Sequence, residues 1–162
     1  EQGEIAIPTV EFNLIFQLTH IYAHLMNEGI GLRQLLDYYY VLISDDLLLI
    51  RDRVQKELKE LGLWKFAGGI MYIMQEVFGM PASRLIVPPN EKYGKFVLNE
   101  VLEAGNFGKH DARNRFGRSQ LGHNLQRVYR DMRLVRYFPA EAMSEPIFRV
   151  WHFFWRWYQK EL

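Results

Sequence analysis

The chain has 162 residues, a formal net charge of +1 and no cysteine, and hydrophobic residues make up 49% of it. A chain of this length can bury enough surface for one stable core without a disulfide or a metal ion. The lack of cysteine excludes disulfide frameworks, thiolate zinc sites and cysteine nucleophiles.

Hydrophobic periodicity and helix-end signals predict helices throughout and no strand. Thr9, Ser44 and Asn90 are placed to cap the first, third and fifth helices, and Gly62 and Gly79 to end the third and fourth. The predicted helices cover about residues 9–27, 32–43, 45–61, 63–78, 90–104, 119–138 and 146–162. We therefore predict a single all-α domain of about seven helices with orthogonal or bundle-like packing.

The apolar pattern also predicts how some of these helices pack. The first helix is apolar on most of its circumference, which favours a central position. Gly68 and Gly69 inside the fourth helix predict the close approach of a neighbouring helix. The sixth helix is expected to end at Pro139. Its inward residues are predicted to be Leu121, Leu125, Val128, Met132 and Val135.

The last helix, PIFRVWHFFWRWYQKEL, is unusually rich in aromatic residues. We interpret them as core residues plus a face toward another domain. Stacking on nucleic acid and insertion at a membrane surface are the alternatives, although only Arg149, Arg156 and Lys160 accompany the aromatic residues.

The sequence contains no recognisable targeting or membrane-spanning segment. No apolar run reaches the roughly 18 residues of a membrane span, and the start EQGEIAIP has no hydrophobic segment. We expect a cytoplasmic protein without a membrane partner. Because the chain starts at Glu1 rather than Met, we also expect it to be a fragment of a longer protein.

The stretch HIYAHLMNEGIGLRQLLD holds the most unusual polar residues. His20 and His24 are four residues apart, as are Arg33 and Asp37, so each pair shares a helical face on either side of a glycine corner. A metal site is one interpretation, although the glutamate of an HExxH motif is missing, and contact of His20, His24, Arg33 and Asp37 with a substrate is another. We favour a structural corner in which Asp37 is partly buried and bonded to a histidine or to Arg33.

Positive charge is concentrated in residues 106–138, which carry eight Lys and Arg against two Asp, whereas residues 1–105 carry nine against fourteen acidic residues. Such asymmetry can mark a surface for phosphate or nucleic acid, the alternative being a basic surface without a ligand. The candidate phosphate-binding residues, in or beside a glycine-flanked loop, are Lys109, Arg113, Arg115 and Arg118. Arg118 and His123 also have a spacing that resembles the Arg-x4-His of the helical HEPN ribonucleases.

Two motifs resemble the C-terminal part of the uncharacterised nucleotidyltransferase family that is widespread in Bacteroides and relatives. The first is a His-x3-His followed by Gly-Ile-Gly-Leu-Arg-Gln and an aspartate, from His20 to Asp37, and the second is GNFG at 105–108. The resemblance implies an N-terminal nucleotidyltransferase-fold domain in the same polypeptide. That domain would transfer a nucleotidyl group from an NTP, with Mg²⁺ held by an Asp-x-Asp pair after a Gly-Ser turn.

This chain has no Gly-Ser dipeptide and no two acids separated by a single residue. If the resemblance holds, the chain is a helical accessory domain that is inactive alone, needs no cofactor of its own, and packs on the catalytic domain to help shape its substrate side. A stand-alone helical domain that binds or processes RNA through Arg118 and His123 is the leading alternative. A structural interaction domain is the third.

Overall fold

A computed structural model describes residues 7–27, 29–104, 129 and 132–160 of the chain. Every regular element in these ranges is a helix, which confirms the predicted all-α class. The helices are α1 (Val10–Asn27), α2 (Leu32–Leu42), α3 (Leu47–Glu60), α4 (Trp64–Glu76), a 3₁₀ turn (Ala82–Arg84), α5 (Glu91–Ala104) and α6 (Pro139–Lys160). The chain forms two compact units, Glu1–Ala112 and Arg113–Leu162.

The helix ends of the first unit follow local chemistry that the sequence predicts. The Thr9 hydroxyl accepts a hydrogen bond from the Phe12 backbone N–H at 3.2 Å, and the Asn90 side chain accepts one from Tyr93 N–H at 3.2 Å. Gly62 and Gly79 adopt positive φ angles of 71° and 67° just after α3 and α4. These left-handed conformations suit glycine because other residues strain there.

The predicted Ser44 cap of α3 is wrong. The helix begins at Leu47, with Asp46 in the capping position and no side-chain cap hydrogen bond. The Ser44 carbonyl instead accepts from Leu47 N–H at 3.3 Å, so residues 44–47 form a turn that delays the helix.

The prediction of a central α1 is also wrong. One face of α1 is buried by Leu14, Leu18, Ile21 and Leu25, which recur at helical spacing and face the core. Phe12 and Phe16, however, are 54% and 53% exposed. The sequence of α1 is apolar on most of its circumference, but only one face of the helix is buried. The described helices that contact α1 pack against that face.

Helices α4 and α5 pack at very short range. A Cβ atom on Gly69 would lie 3.1 Å from Tyr93, one on Gly68 would lie 3.1 Å from Asn90, and one on Gly94 would meet Tyr72. The Gly68 carbonyl accepts a hydrogen bond from Asn90 N–H at 2.8 Å. The predicted close approach at Gly68 and Gly69 is therefore confirmed.

Side chains hold the irregular segment between α4 and α5 against the helices before it. Arg51 on α3 donates to the Ser83 carbonyl, and Gln55 Nε2 donates to the Ile86 carbonyl at 2.7 Å. The buried side of this segment includes Leu85, Ile86 and Val87. The segment thus contributes to the core without regular structure of its own.

The second unit departs from prediction at both helices. Leu134 and Phe138 are buried, whereas Met132 and Val135, which were predicted to point inward, are exposed. Residues 135–137 form a turn and α6 begins at Pro139, before the predicted start at 146. Proline is favourable in the first turn of a helix, where its missing N–H has no partner to lose. The other predicted inward residues of this region, Leu121, Leu125 and Val128, lie outside the described residues.

Candidate functional surface

The glycine corner between α1 and α2 forms as predicted. Gly29 has a φ of 91°, and its N–H donates to the His24 carbonyl at 2.7 Å. Across the corner, the Gln34 side chain accepts from Gly31 N–H at 3.1 Å and so supports the first turn of α2. Gly29, Ile30 and Gly31 are buried. The corner is thus a fixed joint.

The two histidines of the motif belong to a row of rings along α1. Phe12 stacks on Phe16 with ring centroids 5.5 Å apart, and Phe16 stacks on His20 at 6.0 Å. His20 and His24 then meet edge to face at 4.3 Å. Among the described residues, no group of three or more His, Cys, Asp or Glu side chains comes together as a metal site. We name Phe12, Phe16 and His20, which are all exposed, the α1 aromatic row.

Arg33 and Asp37 do not form the polar joint that the sequence suggests. Both are exposed rather than partly buried, and neither makes an ion pair or hydrogen bond with another described residue. The reason is the register of α2, whose buried residues are Leu35, Tyr38 and Leu42. Positions 33 and 37 lie on the other side, so the expected bond from Asp37 to a histidine or to Arg33 is wrong.

Helix α2 presents a second exposed apolar surface. Leu32, Leu36, Tyr40 and Ile43 are all exposed, Tyr40 by 62%. These four residues, the α2 apolar row, recur at spacings of four, four and three on one face of the helix. The sequence contains a signal for this exposure, because α2 carries two rows of apolar residues. A helix that contacts the core on one face buries only one such row, here the row of Leu35, Tyr38 and Leu42.

A groove of about 410 Å³ runs beside the α1 aromatic row. Its apolar wall contains Phe12, Ile15 and Phe16. Its acidic residues are Glu11 and Glu57, and Glu11 is also within 3.5 Å of Arg53 Nη1 on α3. The groove therefore combines aromatic surface with a partly neutralised acidic rim.

The remaining sequence candidates lie outside the described residues. They are the phosphate candidates Lys109, Arg113, Arg115 and Arg118, the His123 partner of Arg118, and the GNFG motif. Phosphate binding and ribonuclease-type chemistry at these positions stay predictions.

Comparison with models of known protein families identifies a match for the first half of the chain. The model of the uncharacterised nucleotidyltransferase family matches residues 1–79 of the 162, which contain α1 to α4, the glycine corner and both exposed rows. This part of the chain is therefore similar to that family, in agreement with the motif from His20 to Asp37. No curated protein and no solved structure matches the chain at a significant level.

Proposed function

We propose that this chain is a helical accessory domain of a nucleotidyltransferase, inactive alone, which packs on a catalytic domain in the same polypeptide. The family match over residues 1–79 supports the class of protein. The observation that supports the packing role is the exposure of the α1 aromatic row and the α2 apolar row, which both lie within that matched stretch. They lie on α1 and α2, the helices joined at the glycine corner.

The energetic argument rests on the size of the exposed side chains. Covering a fully exposed Phe or Leu side chain contributes about 1.5–3 kcal/mol, so even the half-exposed side chains of the two rows offer several kcal/mol in total to a partner surface. Contiguous exposed apolar surface on a protein marks an interaction site more often than isolated exposed residues do. The rows are accordingly the surface that we assign to the catalytic domain.

The polar residues beside these rows have a different role in the proposal. Arg33 and Asp37 are exposed beside the α2 apolar row, where they can form charged contacts with the partner or with its nucleotide. A guanidinium group can pair with a phosphate in two hydrogen bonds. Mg²⁺ and the NTP would be held by the catalytic domain, and this chain would shape the substrate side of that site.

The reading frame upstream of Glu1 tests the proposal at the level of sequence. We expect it to encode a Gly-Ser turn followed by an Asp-x-Asp pair. A native start codon immediately before Glu1 would overturn the proposal. At the level of activity, the purified chain with Mg²⁺ and radiolabelled NTPs should transfer no nucleotidyl group, whereas the longer protein should be active, and transfer by the 162-residue chain alone would contradict the accessory role.

A further inference from the structure

Helix α6 has a wide apolar face that is open to solvent. Seven large apolar side chains on this helix are between 45% and 64% exposed. They are Ile147, Val150, Trp151, Phe154, Trp155, Trp157 and Tyr158, which we name the α6 aromatic face. At 3.6 residues per turn their positions spread over roughly 160° of the helix surface. This helix was predicted to supply core and interdomain residues, but these side chains are not buried in a core.

Two tryptophan rings on this face stack on each other, and the neighbouring His152 ring stacks on one of them. Trp151 stacks on Trp155 with ring centroids 6.3 Å apart, and His152 stacks on Trp155 at 5.7 Å. Tryptophan and tyrosine combine a large apolar body with a polar N–H or O–H group. They are therefore favoured where hydrocarbon meets water.

The charged residues in the part of α6 that carries the aromatic face are all positive, whereas the first turns of the helix contain Glu141 and Glu145. Residues 146–160 contain Arg149, Arg156 and Lys160 and no acidic residue. Arg156 is exposed, and in helical register it lies about 180° from the middle of the α6 aromatic face. A helix with aromatic residues on one side and basic residues on the other has the composition of helices that lie in the interface of an anionic bilayer.

We propose that α6 binds flat on an anionic lipid bilayer, with its aromatic face toward the acyl chains and its basic positions toward the lipid headgroups. The positive charge of residues 146–160 complements anionic headgroups. The width of the face also favours lipid over a second helix, because a two-helix seam is the narrower stripe of a coiled coil. None of the helices in the described ranges is long and apolar enough to cross a bilayer. This proposal departs from the expectation of no membrane partner and does not rest on the proposed nucleotidyltransferase role.

Vesicle sedimentation of the full 162-residue chain tests the proposal, with tryptophan emission as a second readout. The vesicles are phosphatidylcholine alone, or phosphatidylcholine with about one third phosphatidylglycerol, at physiological salt. We expect sedimentation and a blue-shifted emission with the anionic vesicles and much weaker binding to phosphatidylcholine. The variant Trp151→Ser/Phe154→Ser/Trp155→Ser should reduce binding at least tenfold.

Two further variants separate the aromatic face from general effects. Leu48→Ser/Leu49→Ser replaces apolar residues that are 62% and 83% exposed on α3, and it should bind as the wild type does. Arg156→Gln replaces one exposed cation, and should weaken binding to anionic vesicles about fivefold, as expected for one basic residue near such a surface. Circular dichroism establishes that each variant keeps its helix content.

Several outcomes would overturn the proposal. The first is the absence of binding to anionic vesicles, and the second is binding that the triple variant leaves unchanged. A third is a wild-type chain that does not bind vesicles but forms a dimer in light scattering, together with a triple variant that is monomeric. That result would assign the α6 aromatic face to a second copy of the chain.

Discussion

Gly94 on α5 lies so close to Tyr72 on α4 that a Cβ atom added to Gly94 would come within 2.6 Å of both the Cβ and the Cγ of Tyr72. Real Cβ atoms essentially never make such contacts, so α4 and α5 can approach this closely only with glycine at this position. The tyrosine cannot swing away easily, because the contact includes its Cβ and not only the end of its ring. Steric fit, and not helix propensity, accounts for the glycine at position 94.

Gly94→Ala should therefore lower the free energy of unfolding by about 2 kcal/mol, as overpacking of a tight contact does. The effect opposes helix propensity, which favours Ala over Gly by about 1 kcal/mol in an exposed helix. Urea denaturation measures the change. Asn99→Ala, at a position of the same helix that is not buried, is the matched control and should be neutral or slightly stabilising. Stabilisation by Gly94→Ala would contradict the close approach of α4 and α5 at this position.

Arg84 joins the segment after α4 to the end of α2. Its Nη1 donates to the Ser44 carbonyl at 2.7 Å and to the Ile43 carbonyl at 3.3 Å, while its Nη2 is 3.8 Å from Asp45. Arg84→Met keeps the aliphatic stem but removes these bonds, and should cost about 2 kcal/mol of stability because the donor is charged. Asp45→Asn should change stability by less than about 0.5 kcal/mol, since Asp45 is fully exposed. Equal losses in the two variants would assign the effect to the ion pair.

Tyr38 is fully buried on α2, and its hydroxyl has no hydrogen-bond partner among the described residues. Tyr38→Phe should raise the free energy of unfolding by about 1 kcal/mol, because it removes a buried polar group that is not satisfied. Tyr40→Phe, at an exposed position of the same helix, should have no effect and is the control. Destabilisation by Tyr38→Phe would mean that a buried water satisfies the hydroxyl.

The same hydroxyl gives a pH dependence with a defined sign. Burial raises the pKa of Tyr38 above its ordinary value of 10.0, so the folded state holds the neutral phenol. In the unfolded chain the phenol ionises near pH 10, and stability therefore falls as the pH rises beyond that value. Tyr38→Phe should lose less stability than the wild type between neutral and strongly alkaline pH. Identical alkaline losses would contradict the burial of the phenol.

Arg33 and Asp37 should be uncoupled. In a double-mutant cycle with alanine, we expect each single change to alter stability by less than about 0.5 kcal/mol and the coupling energy to be close to zero. Glu91 and Lys95 form the comparison pair, since Lys95 Nζ donates to Glu91 Oε1 at 2.5 Å. The hydrogen bond from Lys95 lowers the pKa of Glu91, so their coupling should disappear as the pH falls through that lowered pKa. A substantial coupling energy between Arg33 and Asp37 would contradict this expectation and show that the two residues form an intrahelical ion pair.

Local signals predict the helix ends well at Thr9, Asn90, Gly62 and Gly79, but not at Ser44 or Pro139. Thr9 and Asn90 act through hydrogen bonds to residues three positions away, and Gly62 and Gly79 through their backbone conformation, so the surrounding fold has little influence. The glycines of α4 likewise predict close packing, because glycine weakens a helix interior unless a neighbouring element needs the space that a Cβ would fill. Pro139 was ambiguous, since proline can end one helix or begin the next.

Burial of the apolar rows could not be predicted in the same way. Phe16 and Leu36 have the composition and spacing of core residues, and periodicity cannot distinguish a face buried in this chain from one exposed for a partner. The predicted bond from Asp37 to a histidine or to Arg33 is wrong for a related reason. The four-residue spacing places Arg33 and Asp37 on one face of α2, but it does not say which way that face turns relative to the core.

Cysteine labelling tests most directly the claim that the α1 and α2 rows pack on a catalytic domain. Because the chain has no cysteine, Phe16→Cys and Leu36→Cys each create a single reactive site, and Leu49→Cys, at a position that is 83% exposed on α3, is the control. Maleimide reaction rates are compared between the 162-residue chain and the proposed longer protein, in which a nucleotidyltransferase-fold domain would precede these 162 residues. We predict at least tenfold slower labelling at positions 16 and 36 in the longer protein and an unchanged rate at position 49, whereas equal rates at all three positions in both proteins would contradict the account.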